Sequence, residues 1–98
     1  MYALINRRTP NRDRQQETLQ RAGSEFFPRM RQAPGFIAFY LIAGEDGVNT
    51  AISLWEDRAQ AEAWQPQAQA WSDTLDELGN RLESRTAGEV TAHVTPQR

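Results

Sequence analysis

The chain has 98 residues, a net charge of −2, 24% charged and 39% hydrophobic side chains, and no cysteine. That length usually makes one domain, so residues 1–98 are read as a single domain, too short for a doubly wound dinucleotide fold or a TIM barrel. The missing cysteines exclude disulfides, thiolate nucleophiles and cysteine-held zinc or iron–sulfur clusters, and the balanced charge argues against nucleic acid as a partner.

Every basic residue among the 11 is Arg, which excludes Schiff-base and lysine general-base chemistry. The basic run Arg7, Arg8, Arg12 and Arg14 reads as a solvated strand end and helix start. No apolar run approaches the ~20 residues of a membrane helix. Met1 leads straight into an alternating segment, not into a basic stretch and a long apolar core, so a cytoplasmic protein is expected.

In chain order, Tyr2 to Thr9 alternates and stops at Pro10, as a strand does. Asn11 or Asp13 can cap the helix that follows. Leu19, Ala22, Phe26, Phe27 and Met30 recur at helical steps. Pro28 removes a hydrogen bond and clashes with the carbonyl of Ser24, so this helix kinks or ends there. Pro34-Gly35 is a break. Phe36 to Ala43 is short, apolar and bounded by turn signals, which favours strand. Gly44 to Gly47 is a turn, and Asn49 to Glu56 is the returning strand. Asp57 can cap a helix from Arg58, and Pro66 suits the first turn of a further helix carrying Ala68, Trp71, Leu75 and Leu78 on one face. Gly79 closes it, with Leu82 in a further turn. Val90, Ala92 and Val94, alternating with Glu89, Thr91 and His93, make the expected last strand.

The order β-α-β-β-α-β is the ferredoxin-like arrangement, an α+β fold with a four-stranded antiparallel sheet and helices on one face. Phe36 to Ala43 is apolar on both faces, and a strand of that kind wants cover on both. One layer of helices covers one face. A second copy packing sheet against sheet would cover the other, so a homodimer is expected.

Common catalytic sets are poorly represented. His93 is the only histidine, no Gly-x-Ser-x-Gly elbow exists, and no His pair or carboxylate group has metal-site spacing. The aromatic supply is larger. Trp55, Trp64 and Trp71, with Tyr2, Phe26, Phe27 and Tyr40, can line a space between sheet and helices. Proline-broken helices leave room for a cleft there, with Asn6, Arg8, Ser53 and His93 as candidate polar groups.

Several segments carry a resemblance. Pro34-Gly35-Phe36, Leu54-Trp55-Glu56-Asp57, Gln60-Ala61-Glu62-Ala63-Trp64 and Ala87-Gly88-Glu89-Val90 are similar to the antibiotic biosynthesis monooxygenase (ABM) domain family. The resemblance implies a dimeric α/β barrel of two ferredoxin-like protomers, each holding a pocket for a small aromatic molecule. It implies three activities. The first is cofactor-independent oxidation of an aromatic, quinol or polyketide-like substrate, with dioxygen as co-substrate and no metal. Trp55 looks like the strand-end Trp of that group, while its Asn four positions earlier is Ala51 here and its Tyr six positions later is Ala61. The second is heme degradation, for which Asn6, Arg7 and Trp64 look like family residues. The axial His of that group falls near Thr74, so a His-ligated heme is not expected. The third is non-catalytic binding of a small ligand. The preferred reading is the first, with Asn6, Trp55 and Trp64 as catalytic candidates. Tyr2, Phe26, Phe27, Tyr40, Ser53, Trp71 and His93 are candidate substrate contacts.

Overall fold

A computed structural model describes residues 1–97. Strand β1 (Tyr2–Thr9) is followed by a short 3-10 turn (Arg12–Arg14), helix α1 (Gln15–Arg21), a π-helical turn (Ala22–Phe26) and helix α2 (Phe27–Gln32). Strands β2 (Phe36–Ala43) and β3 (Asn49–Trp55) form a hairpin. Helices α3 (Arg58–Ala63) and α4 (Gln65–Glu77) then lead to β4 (Arg81–Glu89). The sheet runs β2-β3-β1-β4 and every pairing is antiparallel. This is the α+β ferredoxin-like fold expected from the order of elements.

Local chemistry explains most boundaries. Asn11 accepts a hydrogen bond from the Asp13 amide and starts the 3-10 turn; Asp57 accepts from the Gln60 amide and caps α3, as its residue type favours. Pro28 has no N–H to give the carbonyl of Ser24, and the helix answers with a π turn in which the Phe27 amide reaches back to Ala22. Such a turn inserts a residue and rotates the face that follows. Phe26 and Phe27 thereby both meet Phe39 of the sheet, with ring centroids 6.2 and 5.5 Å away. Pro66 sits in the first turn of α4, where a missing N–H costs little.

The core lies between the sheet and the helices: Phe26, Met30, Trp55, Ala61 and Trp64 are buried together, with Phe36, Phe39 and Trp71 packed against them. The opposite face of the sheet is open. The register sets Tyr40, Ile52 and Ile5 side by side across three strands, away from the helices. Tyr40 is 54% and Ile42 49% exposed. Apolar residues on both faces of β2 are therefore real, and one layer of helices covers only one of them.

Two expectations need correction. The last strand is Arg81–Glu89, not the segment around Val90, Ala92 and Val94, which follows it without regular structure. Strand β4 lies at the sheet edge and is exposed along most of its length, so charged residues cost nothing there. Its membership comes from pairing with β1, not from apolar alternation. Leu82, expected in a turn, is the partner of Arg8 in that pairing. The second correction is Arg8, which is 8% exposed and not part of a solvated basic run.

Helix α4 ends in a Schellman arrangement. Gly79 has φ +85°, its amide donates to Asp76, and the Asn80 amide donates to Leu75. A Cβ on Gly79 would lie 2.7 Å from Asn11 Nδ2. Gly79→Ala is therefore expected to cost about 1–2 kcal/mol, from the left-handed backbone alone, read as a fall in Tm on thermal denaturation. On β4, hydrogen bonds from Thr9 and then Arg81 hold the Glu83 carboxyl below the usual range. A depressed carboxylate contributes stability above its unfolded pKa and loses it as pH falls through the folded value. Glu83→Gln is expected to lower Tm at about pH 7, and the difference from wild type to shrink as pH falls below the ordinary carboxylate range.

Candidate functional site

Between the helix-facing side of the sheet and the helices lies a cavity of about 370 Å³, within the range of small-molecule sites. Its two ends differ in chemistry. The apolar end is built by the π turn and α4. Phe26 stacks on Trp71 with ring centroids 5.0 Å apart and planes 10° from parallel, and Trp64 lies 5.8 Å from Phe26. Ala22, Ala51 and Ala68 line the same space, and their small side chains leave it open.

The polar end is built where β1 and β4 meet α4. Arg8 points inward from β1. One of its terminal nitrogens donates to Asp76 Oδ1 at 2.8 Å and to the Asn80 carbonyl at 2.7 Å; the other donates to the Ser72 hydroxyl. A buried guanidinium needs such partners, and the negative end of the α4 dipole adds to them. The pairing of β1 with β4 shifts between Arg7 and Arg8, a bulge of the kind that re-aims side chains near sites. Beside it, Arg85 stands opposite Asn6 in the register and donates to the same Ser72 hydroxyl at 2.7 Å. Asn80 is fixed by its own bonds: its Oδ1 accepts from the Asn11 amide at 3.0 Å, and its Nδ2 donates to the Leu75 carbonyl at 3.3 Å.

Of the residues named from the sequence, Asn6, Arg8, Phe26, Phe27, Ser53, Trp64 and Trp71 line the cavity. Four others do not. Trp55 is fully buried behind it, its indole N–H donating to Ser53 Oγ at 2.9 Å. Tyr2 packs at the margin of the core. Tyr40 points from the opposite face of the sheet, because the hairpin register pairs it with Ile52 and places Phe39 on the cavity side. His93 lies on the exposed segment after β4. Sequence reasoning missed Ser72, Asn80 and Arg85. Placing β4 one residue after Asn80 would have exposed Arg85 as an inward position, but the strand has no apolar alternation to announce it. Ser72 reads as any polar helix residue.

No Asp, Glu, His or Tyr lines the cavity among the described residues, nor do three or more metal-ligating side chains gather anywhere among them. No helix there is long and apolar enough to cross a membrane.

Sheet and helices define a ferredoxin-like α+β protein with a cavity between its two layers. Residues 1–77 match the family described as antibiotic biosynthesis monooxygenase, and the chain belongs to that family. No curated protein matches it. Among solved structures it is similar to the monooxygenase ActVA-Orf6 of Streptomyces coelicolor in complex with nanaomycin D, at 17% identity and a TM-score of 0.70, covering 98% of this chain and 91% of that one. The cofactor-independent oxygenase SnoaB of Streptomyces nogalater matches at 19% identity and a TM-score of 0.64, covering 96% and 94%. The heme-degrader MhuD of Mycobacterium tuberculosis matches at 18% and 0.69, covering 97% and 100%. At these identities the likenesses show the fold alone.

The Arg8 cluster makes an asymmetric prediction. The Asp76 side chain is 60% exposed and that of Arg8 10%, so removing Asp76 strands a buried charge while removing Arg8 leaves a solvated carboxylate. Asp76→Ala is expected to cost about 2 kcal/mol in urea denaturation, and Arg8→Met added to it to restore part of that loss.

Proposed function

We propose that the protein is a cofactor-independent monooxygenase that oxidises a small planar phenol, quinol or anthrone with dioxygen. The observation that carries this reading is the cavity itself: stacked and tilted aromatic rings at one end, hydrogen-bond donors at the other and, among the described residues, no carboxylate, imidazole or phenol on its wall. Chemistry in such a space falls to the substrate. For an anthrone, loss of a proton from the ring CH2 to water gives an electron-rich anion that reduces dioxygen. One oxygen atom enters that carbon as a carbonyl and the other leaves as water, the substrate supplying all four electrons. Trp64 and Trp71 would orient the ring, which shortens the approach of the reacting atoms. The Asn6 amide, on the cavity floor, would donate to the oxygen on which charge develops. Family membership and the fold shared with oxygenases support the reading.

A ligated heme suits this cavity poorly. Its iron would need an imidazole, thiolate, phenolate or thioether, and the lining offers only the thioether of Met30, which is 2% exposed in the core.

The open sheet face supports a homodimer. Tyr40, Ile42, Ile52 and Ile5 form an apolar surface that a second copy would cover by a two-fold operation. Light scattering at micromolar concentration is expected to give twice the 11.2 kDa chain mass. A monomer there, or a dimer that persists unchanged in Tyr40→Glu/Ile42→Glu, overturns the assembly through this face.

The enzymatic reading is tested by oxygen uptake with a panel of hydroquinones and anthrones in the presence of chelator. Uptake above the uncatalysed rate, lost in the cavity-filling Ala68→Trp with Tm retained, is expected. Binding of the panel without any turnover would replace the oxygenase by a ligand-binding protein.

A further inference from the structure

The polar end of the cavity gathers more cationic than anionic groups. Two guanidinium groups, Arg8 and Arg85, converge on one hydroxyl, that of Ser72. One carboxylate serves them, and it belongs to Arg8: Asp76 lies 2.8 Å from Arg8, which also holds the Asn80 carbonyl. Among the described residues no carboxylate lies within ion-pair distance of Arg85, as is true of Arg12, Arg29 and Arg31, but of these four only Arg85, itself partly open to solvent, lines the cavity.

The hydroxyl adds a second constraint. Ser72 is 7% exposed and its oxygen accepts from both arginines. An oxygen with both lone pairs occupied has one function left, to donate its own proton. Helical Ser and Thr residues usually spend that proton on the carbonyl one turn back, as Thr18, Ser24 and Thr74 do here. Ser72 makes no such bond among the described residues. An O–H donor, a guanidinium with no carboxylate partner and, paired with it in the strand register, Asn6 therefore line the same end of the cavity.

We infer that this point is an anion-binding pole, and that the ligand is a planar aromatic bearing an anionic oxygen, a carboxylate or phenolate, held by Arg85 and Ser72 while its ring lies against Phe26 and Trp71. The inference rests on the reading that the cavity takes a planar ring, and it adds the charge of the ligand and the residues that select it. Arg8 is the positioning residue: it bonds Asp76 and the Asn80 carbonyl and holds Ser72 in place for Arg85 to share. Arginine suits the task because its planar fork matches an oxyanion and stays charged.

The test uses two probes of nearly equal shape, 2-naphthoate and 2-naphthylmethanol, titrated calorimetrically into the full chain. Naphthoate is expected to bind about tenfold or more tightly than the alcohol, and to lose that advantage in about 0.5 M salt. In Arg85→Gln the ratio of the two affinities is expected to fall to about one, naphthoate losing far more than the alcohol; Arg85→Lys should keep part of the preference. Ser72→Ala should weaken naphthoate selectively, with Tm confirming the fold. Equal binding of the two probes to wild type overturns the anion pole and leaves the planar-ring reading standing. A naphthoate preference that survives Arg85→Gln overturns the assignment to Arg85. Binding of neither probe overturns the planar-ring reading and the pole with it.

Discussion

Arg8 ties the molecule together. It starts on β1, between β3 and β4 in the sheet order, and reaches α4 and the turn after it, with bonds to Ser72, Asp76 and the Asn80 carbonyl. A guanidinium taken out of water is costly unless its hydrogen bonds are replaced, so its position fixes the helix end, the bulge between β1 and β4, and the height of the cavity roof at that end. The Schellman turn at Gly79 and the paired asparagines Asn11 and Asn80 are the counterpart of that constraint. They hold the Asn80 carbonyl where Arg8 needs it.

The opposite end of the cavity depends on a defect. Pro28 cannot donate to Ser24, and the π turn that results sends Phe26 under Trp71 and Trp64 while Phe27 turns toward Phe39. An uninterrupted helix would spread those two rings apart around its axis. The break at Pro66 does related work by letting Trp64 end α3 and α4 begin beside it. Space between helix and sheet thus comes from two places where the backbone cannot continue its regular ladder.

Legibility in the sequence followed where the free energy lies. Strand β2 was readable to the residue, because an apolar run between Pro34-Gly35 and Gly44 has one reading at that length. Asp57, Asn11 and Gly79 were readable as caps, because each side chain or its absence acts on neighbouring amides. Strand β4 was not. Its residues, Arg81 to Glu89, are mostly polar and exposed, and only the hydrogen bonds offered by β1 make them a strand. Since Arg85 faces inward only through that pairing, half of the polar end was invisible. Asn6, Phe26, Phe27, Ser53, Trp64 and Trp71 were legible as a group because aromatic and small polar residues gathered on elements already assigned. Tyr40 and His93 separated from them for reasons of register: the first by the alternation of β2, the second by the misplacement of β4.

If the protein is the oxygenase proposed, a cavity wall that among the described residues carries no carboxylate, imidazole or phenol would have a consequence for its kinetics. Ordinary enzymes print their own ionisations on a rate profile, because a side chain gains or loses a proton in the working range. Here the lining has nothing to print. The pH at which a bound phenol or anthrone becomes reactive would then travel with the compound, following its own acidity from one derivative to the next, while the protein contributed the same fixed field to all of them.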